Sequence, residues 1–412
     1  MTSSNFRDYV YPPEHPRVAS LRGLDARAYA ETATTDSFAG PMIEGWAKLY
    51  PVAYVGLTTD GHVQPGLFDL RDENAPVREM TAAASTLLDS LETAEAARLR
   101  YPLDAHEWRS WANPEFMQHD TGLRLDELSD ETVAAILAVV EASLSPEGFR
   151  LVRDLMYING YLGAVVELPA LMNERSYNFA LYGDPSPDAP WGWQLFGHHV
   201  ALNCLVVGGQ QVVSPVFLGA EPSSVDSGPR AGLRVFDDRI ATARALMAAL
   251  EPSVRHRVVS YAQLVDPAMP PGRIHPGDER HLGGCFRDNA VVPYEGVRVT
   301  EFDARGQQLV LELARQFFAI LPAGPAAAKL ADVEAHLDET WFSWIGGFEG
   351  AAPFYFRIQS PVTMLELDHH TGVFLSNDEP GDFHIHTVIR TPNANDYGRV
   401  LVELATGRKL IA

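Results

Sequence analysis

Residues 177–222 read YNFALYGDPSPDAPWGWQLFGHHVALNCLVVGGQQVVSPVFLGAEP. The stretch is rich in aromatic, Gly and Pro residues. Its short apolar runs at 201–207 and 212–218 are bounded by Gly-Gly and Gly-Ala, which is the punctuation of paired antiparallel strands. A β core therefore begins near Asn173, where the composition changes. Downstream, FYFRIQ (354–359), TMLELD (363–368), GVFLSN (372–377) and FHIHTVIR (383–390) are four more strand candidates. Between them lie helical patterns at 237–250, 305–321 and 328–342, and residues 267–293 carry no period and read as a loop or lid. Upstream, 81–98 and 128–144 repeat apolar residues at spacings of three and four, with Ser129 as N-cap of the second, and 153–168 is a third helix that ends before Pro169. The expected fold is α+β, a helical N-terminal layer packed on a largely antiparallel β core with flanking helices. The expected organisation is an arm over 1–25, a mainly helical region over 26–170 and a β-rich core with the site over 171–412. No sharp linker divides the last two, so one large domain fits equally well.

The chain has 412 residues, with 32 Lys and Arg against 54 Asp and Glu, a net charge of -22. A negative surface repels phosphate backbones and anionic headgroups, so the expected partner is a small molecule, with no nucleic acid and no membrane, and homo-oligomerisation is left open. No run reaches the roughly 18 to 20 apolar residues of a membrane span. The opening MTSSNFRDYVYPPEHP lacks the basic and apolar regions of a secretory signal, so a cytoplasmic protein is expected. Cys204 and Cys285 form no Cys-x-x-Cys, which removes sulfur-only metal sites. Dinucleotide, Walker, nucleophile-elbow and His-Glu-x-x-His motifs are absent from the sequence.

Histidine carries the chemical signal. Six of the fourteen fall in three tight groups, His198–His199, His369–His370 and His384/His386. Residues two apart on a strand share a face, so His384, His386, Val388 and Arg390 point one way, and in TMLELDHH so do Glu366, Asp368 and, if the strand continues, His370. Two carboxylates on an apolar strand must be hydrated, paired or bound to metal, because an isolated buried carboxylate costs several kcal/mol. A hairpin of these two strands would join acid to imidazole. Adjacent His198 and His199 on a strand would face opposite sides, so one of them is expected at the site. Trp191 and Trp193 suit a pocket wall. The plainer readings are a solvated His-x-His face, a Glu366–Arg390 ion pair, a carbonyl-bonded core histidine and two core tryptophans. Mixed His and carboxylate donors suit Zn, Fe(II), Mn or Cu over an all-oxygen Ca or Mg cage.

The segments YNFALYGDPS, WGWQLFGHHVALN, FYFRIQSPVTMLELD and HIHTVIRTPNANDYG, in this order, resemble the bacterial and fungal family catalogued as domain of unknown function 3500. Its members carry an aromatic segment running into Gly-His-His, a Tyr-x-Arg-Ile-x-x-Pro strand and a His-x-His strand followed by Arg and an Asn/Asp-aromatic-Gly ending. The resemblance covers the chain from about Ala26 onward and points to Trp191, Trp193, His198, His199, Arg357, Glu366, His384, His386, Arg390, Asp396 and Gly398. Many members carry Asn-Thr where this chain has His369-His370, which places those two outside any shared site. The family name confers no activity.

The expected site is a divalent metal, Zn or Fe(II), held by His384, His386 and one of His198 or His199. Glu366 is its fourth ligand or general base, and Arg357 or Arg390 clamps an anionic group of the substrate. The expected activity is metal-dependent hydrolysis of a small polar or anionic substrate. A non-haem metal oxidoreductase and a binding protein without catalysis are the alternatives.

Overall fold

A computed structural model of the chain describes residues 5–35 and 39–408. Among them are twelve strands, β1 (Arg100–Tyr101), β2 (Leu123–Arg124), β3 (Tyr177–Tyr182), β4 (Trp191–Gly197), β5 (Val200–Val207), β6 (Gln210–Ala220), β7 (Val259–Tyr261), β8 (Val297–Arg298), β9 (Trp341–Gly346), β10 (Phe354–Gln359), β11 (Met364–His369) and β12 (Ile385–Arg390). They form one mixed sheet in the order β1-β3-β4-β5-β6-β12-β11-β10-β9-β7, with β2 on β3 and β8 on β9. The central strands β3 to β6 and β9 to β12 pair antiparallel. Parallel pairing is confined to the edges, β1 with β3 and β7 with β9. The architecture is α+β, as expected.

Alternation along the strands separates two buried faces. Tyr177, Phe179, Trp191, Trp193, Leu202, Leu218, Phe356, Leu365, Leu367, Ile385 and Ile389 point to one side. There they pack on the helices Val77–Ser90, Asp130–Ser143, Pro146–Val165, Asp237–Ala249 and Ala304–Phe318 in one hydrophobic cluster. The N-terminal helices thus share their layer with two later ones. The opposite face is covered mostly by irregular chain. It carries Tyr182, Phe196, Phe217 and Val388 together with the buried polar residues Gln194, Asn203, Arg357, Glu366, Asp368, His386 and Arg390. Burial on both faces explains why the strands read as nearly continuous apolar runs.

Local chemistry sets the element ends. Ser129 Oγ accepts from the Thr132 amide at 3.1 Å, and Ser145, followed by Pro146 in the first turn, accepts from the Gly148 amide at 2.9 Å. That second cap starts the third helix at Pro146, ahead of the expected residue 153. The pattern expected over 81–98 is two helices, because Glu95 turns back to the Glu92 amide at 3.2 Å and starts Thr93–Leu99. The helix expected over 328–342 is Ala323–Ala335, and WFSWIG beyond it is β9. Residues 372–377 form no strand; Leu375 joins Val10 in an isolated bridge. The expected arm packs on the body through Phe6 against Leu375 and Phe383 and through the Arg7–Asp226 ion pair at 2.8 Å; its residues 1–4 lie outside the described residues. Among the described residues no helix is long and apolar enough to cross a membrane.

Candidate metal centre

His198 and His199 form the two-residue turn of the β4–β5 hairpin, between the paired Gly197 and Val200. A turn does not obey strand alternation, so the rings do not face opposite sides; they stack at 3.9 Å. His199 has φ +64°, a left-handed conformation that a histidine seldom adopts and that clusters at functional sites. Its amide donates to the Asn113 carbonyl at 3.3 Å and its carbonyl accepts from the Gly219 amide at 2.8 Å, which holds the turn in place. His198 Nδ1 bonds Asn159 Oδ1 at 2.8 Å.

His384 and His386 flank the start of β12 on the polar face. His384 Nδ1 lies 2.6 Å from the Thr371 carbonyl, so it carries the proton and Nε2 keeps a lone pair. That Nε2 is 2.9 Å from Nε2 of His386, a hydrogen bond when His386 carries its proton on Nε2 and two convergent lone pairs when it carries it on Nδ1. Two nitrogens about 2.1 Å from one ion stand about 3.0 Å apart at a right angle and about 3.4 Å apart at the tetrahedral angle. One ligand atom from each of His199, His384 and His386 falls within 4.8 Å of the others. The expected convergence of His384 and His386 with a member of the Gly-His-His turn is present, and the member is His199.

The neighbouring strand adds more imidazole than expected. Asp368 pairs with His386 across β11–β12, and Glu366 with Val388. The alternation carries past the strand end to His370, whose ring lies 3.8 Å from that of His386. His370 therefore belongs to the cluster, which corrects the expectation drawn from the family resemblance. His369 does lie outside, on the helical face, where Nδ1 bonds the Phe354 carbonyl at 2.8 Å. The loop 267–293 packs over this face and supplies His281, stacked at 6.1 Å on His386 and at 5.6 Å on His370. In two further groups, His281–His370–His386 and Glu279–Asp368–His370, one ligand atom from each residue lies within 4.8 Å of the others. Nothing in the sequence marks His281 or Glu279 beyond their place in the loop or lid of 267–293, since neither sits on a periodic element.

Glu366 shares the face but joins none of these groups. Its carboxylate accepts from the amides of Leu282 and Gly283, both at 2.9 Å, and from the Tyr355 hydroxyl at 2.6 Å, and it stands 3.7 Å behind His281 Nδ1. It is thus a partner of a histidine in place of a ligand. Arg390 is not free to hold a substrate: it donates to Asp396 and Asp288, each at 2.8 Å, and to the carbonyls of Gly283 and Gly284 at 3.0 and 3.2 Å. This fully buried fork ties the loop to the sheet. Arg357 is likewise committed, to Glu295 at 3.1 Å and the Pro293 carbonyl at 3.0 Å. Trp191 and Trp193 point into the helical layer, where Trp193 Nε1 donates to Ser143 Oγ at 2.9 Å. They are core, because their strand positions have the parity of Leu195 and not that of Gln194. Asp396 and Gly398 belong to the turn that receives Arg390, with Gly398 at φ +63°.

A cavity of about 610 Å³ opens onto the cluster. It is lined by His198, His199, His370, His386 and Glu279, by the apolar Met42, Trp46, Phe116 and Phe374, and by Arg17. His281 and His384 are not among its lining residues. Burial, reinforced by the neighbouring imidazoles, holds His199, His384 and His386 well below the ordinary 6.5, and burial alone lowers His198 to about 3. Neutral imidazole is the form that binds metal. His281 is the exception: burial lowers its basicity, and the carboxylates of Glu366, Asp368 and Asp278 more than offset that, so its pKa is raised. Burial pushes the Glu366 carboxyl up, and His281, Arg357 and Tyr355 outweigh it and bring it to about 2. Asp368 is held well below the usual range, against burial, by Arg280 and His370.

Fold and site together define an α+β protein with a buried histidine cluster, open to one cavity, that could hold a metal ion. The chain belongs to the family described as Protein of unknown function (DUF3500), whose model matches residues 73–399. No curated protein and no solved structure matches the chain.

Proposed function

We propose that the chain is a metal-dependent enzyme that hydrolyses a small polar or anionic substrate, with Zn or Fe(II) held by His199, His384 and His386. The observation that carries this reading is the 2.9 Å approach of Nε2 of His384 to Nε2 of His386, in a neutral buried cluster that borders the cavity. A divalent ion in an all-nitrogen set with an open position supplies a bound water of pKa near 7. The remaining roles fall to the chain. Glu279 lines the cavity, held by the Thr371 amide and hydroxyl at 2.8 and 2.6 Å through one oxygen and by Arg280 at the other, and takes the general-base role that Glu366, enclosed behind His281, does not fill. Arg17 replaces Arg357 and Arg390 as the cation that meets an anionic group. The aromatic walls exclude water from the reacting bond. A cytoplasmic location and a small-molecule partner accompany this reading.

The test is turnover of p-nitrophenyl acetate and p-nitrophenyl phosphate by untagged protein before chelation, after it, and after return of Zn. Loss and recovery of hydrolysis support the reading, as does a fall of about 100-fold in Glu279→Gln with metal content unchanged. Metal-replete protein that hydrolyses neither probe at any pH between 6 and 9 counts against it. The all-imidazole donor set and apolar walls also suit a non-haem oxidoreductase, which would instead consume oxygen in the Fe(II) form.

A further inference from the structure

We propose that the centre is dinuclear: a second transition-metal ion binds in the group His281, His370 and His386, beside the ion held by His199, His384 and His386. This rests on the metal reading above and extends it.

Two observations converge on the second position. Ligand atoms of His281, His370 and His386 lie within 4.8 Å of one another, and all three residues are at most 3% exposed. Both ring nitrogens of His281 and Nδ1 of His386 are buried without a hydrogen-bond partner. Buried polar atoms are nearly always satisfied, and a metal ion is a partner that would satisfy imidazole nitrogens facing one another, displacing the proton that the neighbouring carboxylates favour on His281. His386 turns Nε2 to His384, which leaves Nδ1 for a second ion once the ring releases its N–H proton to solvent and bridges the two ions as an imidazolate.

The surrounding carboxylates fit the same assignment. Glu366 stands 3.7 Å from His281 Nδ1, and His370 has Asp368 3.2 Å from Nε2 and Glu279 3.7 Å from Nδ1. Whichever nitrogen of His370 binds, the other faces a carboxylate, the arrangement that orients metal-bound histidines and raises their donor strength. Glu366 and Asp368 are then positioning residues. Charge favours the ion as well. Among the described residues, the five carboxylates of Asp278, Glu279, Glu295, Glu366 and Asp368 meet three guanidiniums, those of Arg273, Arg280 and Arg357, and otherwise the imidazoles of His275, His281 and His370. This leaves a local surplus of negative charge for a dication.

The experiment is metal stoichiometry of the full chain, saturated with Co(II), freed of excess by gel filtration, and read by elemental analysis and by the visible spectrum. Two ions per chain are expected in the wild type, and one in His281→Gln and in His370→Asn, each checked for folding by circular dichroism. A wild type that saturates at one ion overturns the second site and leaves the metal reading standing. A wild type that binds none overturns both. Retention of two ions in both variants removes His281 and His370 from the second site and overturns the assignment.

Discussion

Gly219 offers a way to disturb the histidine cluster without touching a ligand. It pairs with His386 across β6–β12, and its amide holds the His199 carbonyl. A Cβ at this position would stand 2.6 Å from Cδ2 of His386 and 2.9 Å from Cδ2 of His199. These contacts are roughly 0.6 to 0.9 Å short of the 3.5 Å at which two carbons rest, so both rings must retreat by several tenths of an ångström. Metal–ligand distances tolerate only about 0.2 Å. One methyl in a packed site costs about 1 to 3 kcal/mol, which a chain of this size absorbs. Gly219→Ala is therefore expected to fold and to bind Zn about 10- to 100-fold more weakly, the penalty typical of disturbing ligand orientation. Competition with a chromogenic chelator reads the affinity, and thermal unfolding of the metal-free protein reads the packing cost. Unchanged affinity in a protein that pays the packing cost would refute the claim that His199 and His386 converge on one ion.

Other substitutions separate the scaffold from the site. Arg390→Met leaves Asp396 buried without its cation and Asp288 with Arg109 alone, and should lower stability by about 3 to 5 kcal/mol in urea; a stable variant that loses only substrate would restore Arg390 as a clamp. Trp193→Phe gives up the bond to Ser143 and should cost about 1 to 2 kcal/mol with metal content unchanged, and a drop in metal content would contradict its place in the helical layer. His119 packs on Tyr50, with burial lowering its pKa from 6.5 to about 4. Between those values the unfolded chain holds a proton that the folded chain lacks, so stability is full above pH 6.5 and falls as the pH drops towards 4. The loss is up to about 3 kcal/mol for the full shift, and urea midpoints measured across that window should be flatter in His119→Phe.

The fold was legible where a period existed. Val-rich runs bounded by Gly-Gly marked β5 and β6, and Ser129 marked the start of its helix. WFSWIG was hidden because β9 is buried on both faces and so lacks alternation to set it apart from the preceding helix. At the site, strand parity placed His384, His386, Glu366 and Asp368 on one face, and it also pointed to His370, where the family resemblance pointed away. Parity failed at His198–His199, since a two-residue turn breaks it. It had no purchase on His281 and Glu279, which come from a loop of 27 residues whose path is fixed by Arg390 and Arg280 gripping partners distant in sequence. The arginines misled for the same reason. A guanidinium facing the right side of a strand reads as a clamp until its buried carboxylate partners are seen.

X-ray absorption at the metal edge of untagged protein, purified without chelators, tests the central claim most directly. The account predicts stoichiometric metal with nitrogen and oxygen neighbours at about 2.0 to 2.2 Å and the outer-shell scattering of several imidazoles, lost in His386→Ala. Fully folded protein that holds no metal after exposure to Zn, Fe(II) and Co(II) would contradict it and leave the histidines as a polar lining of the cavity.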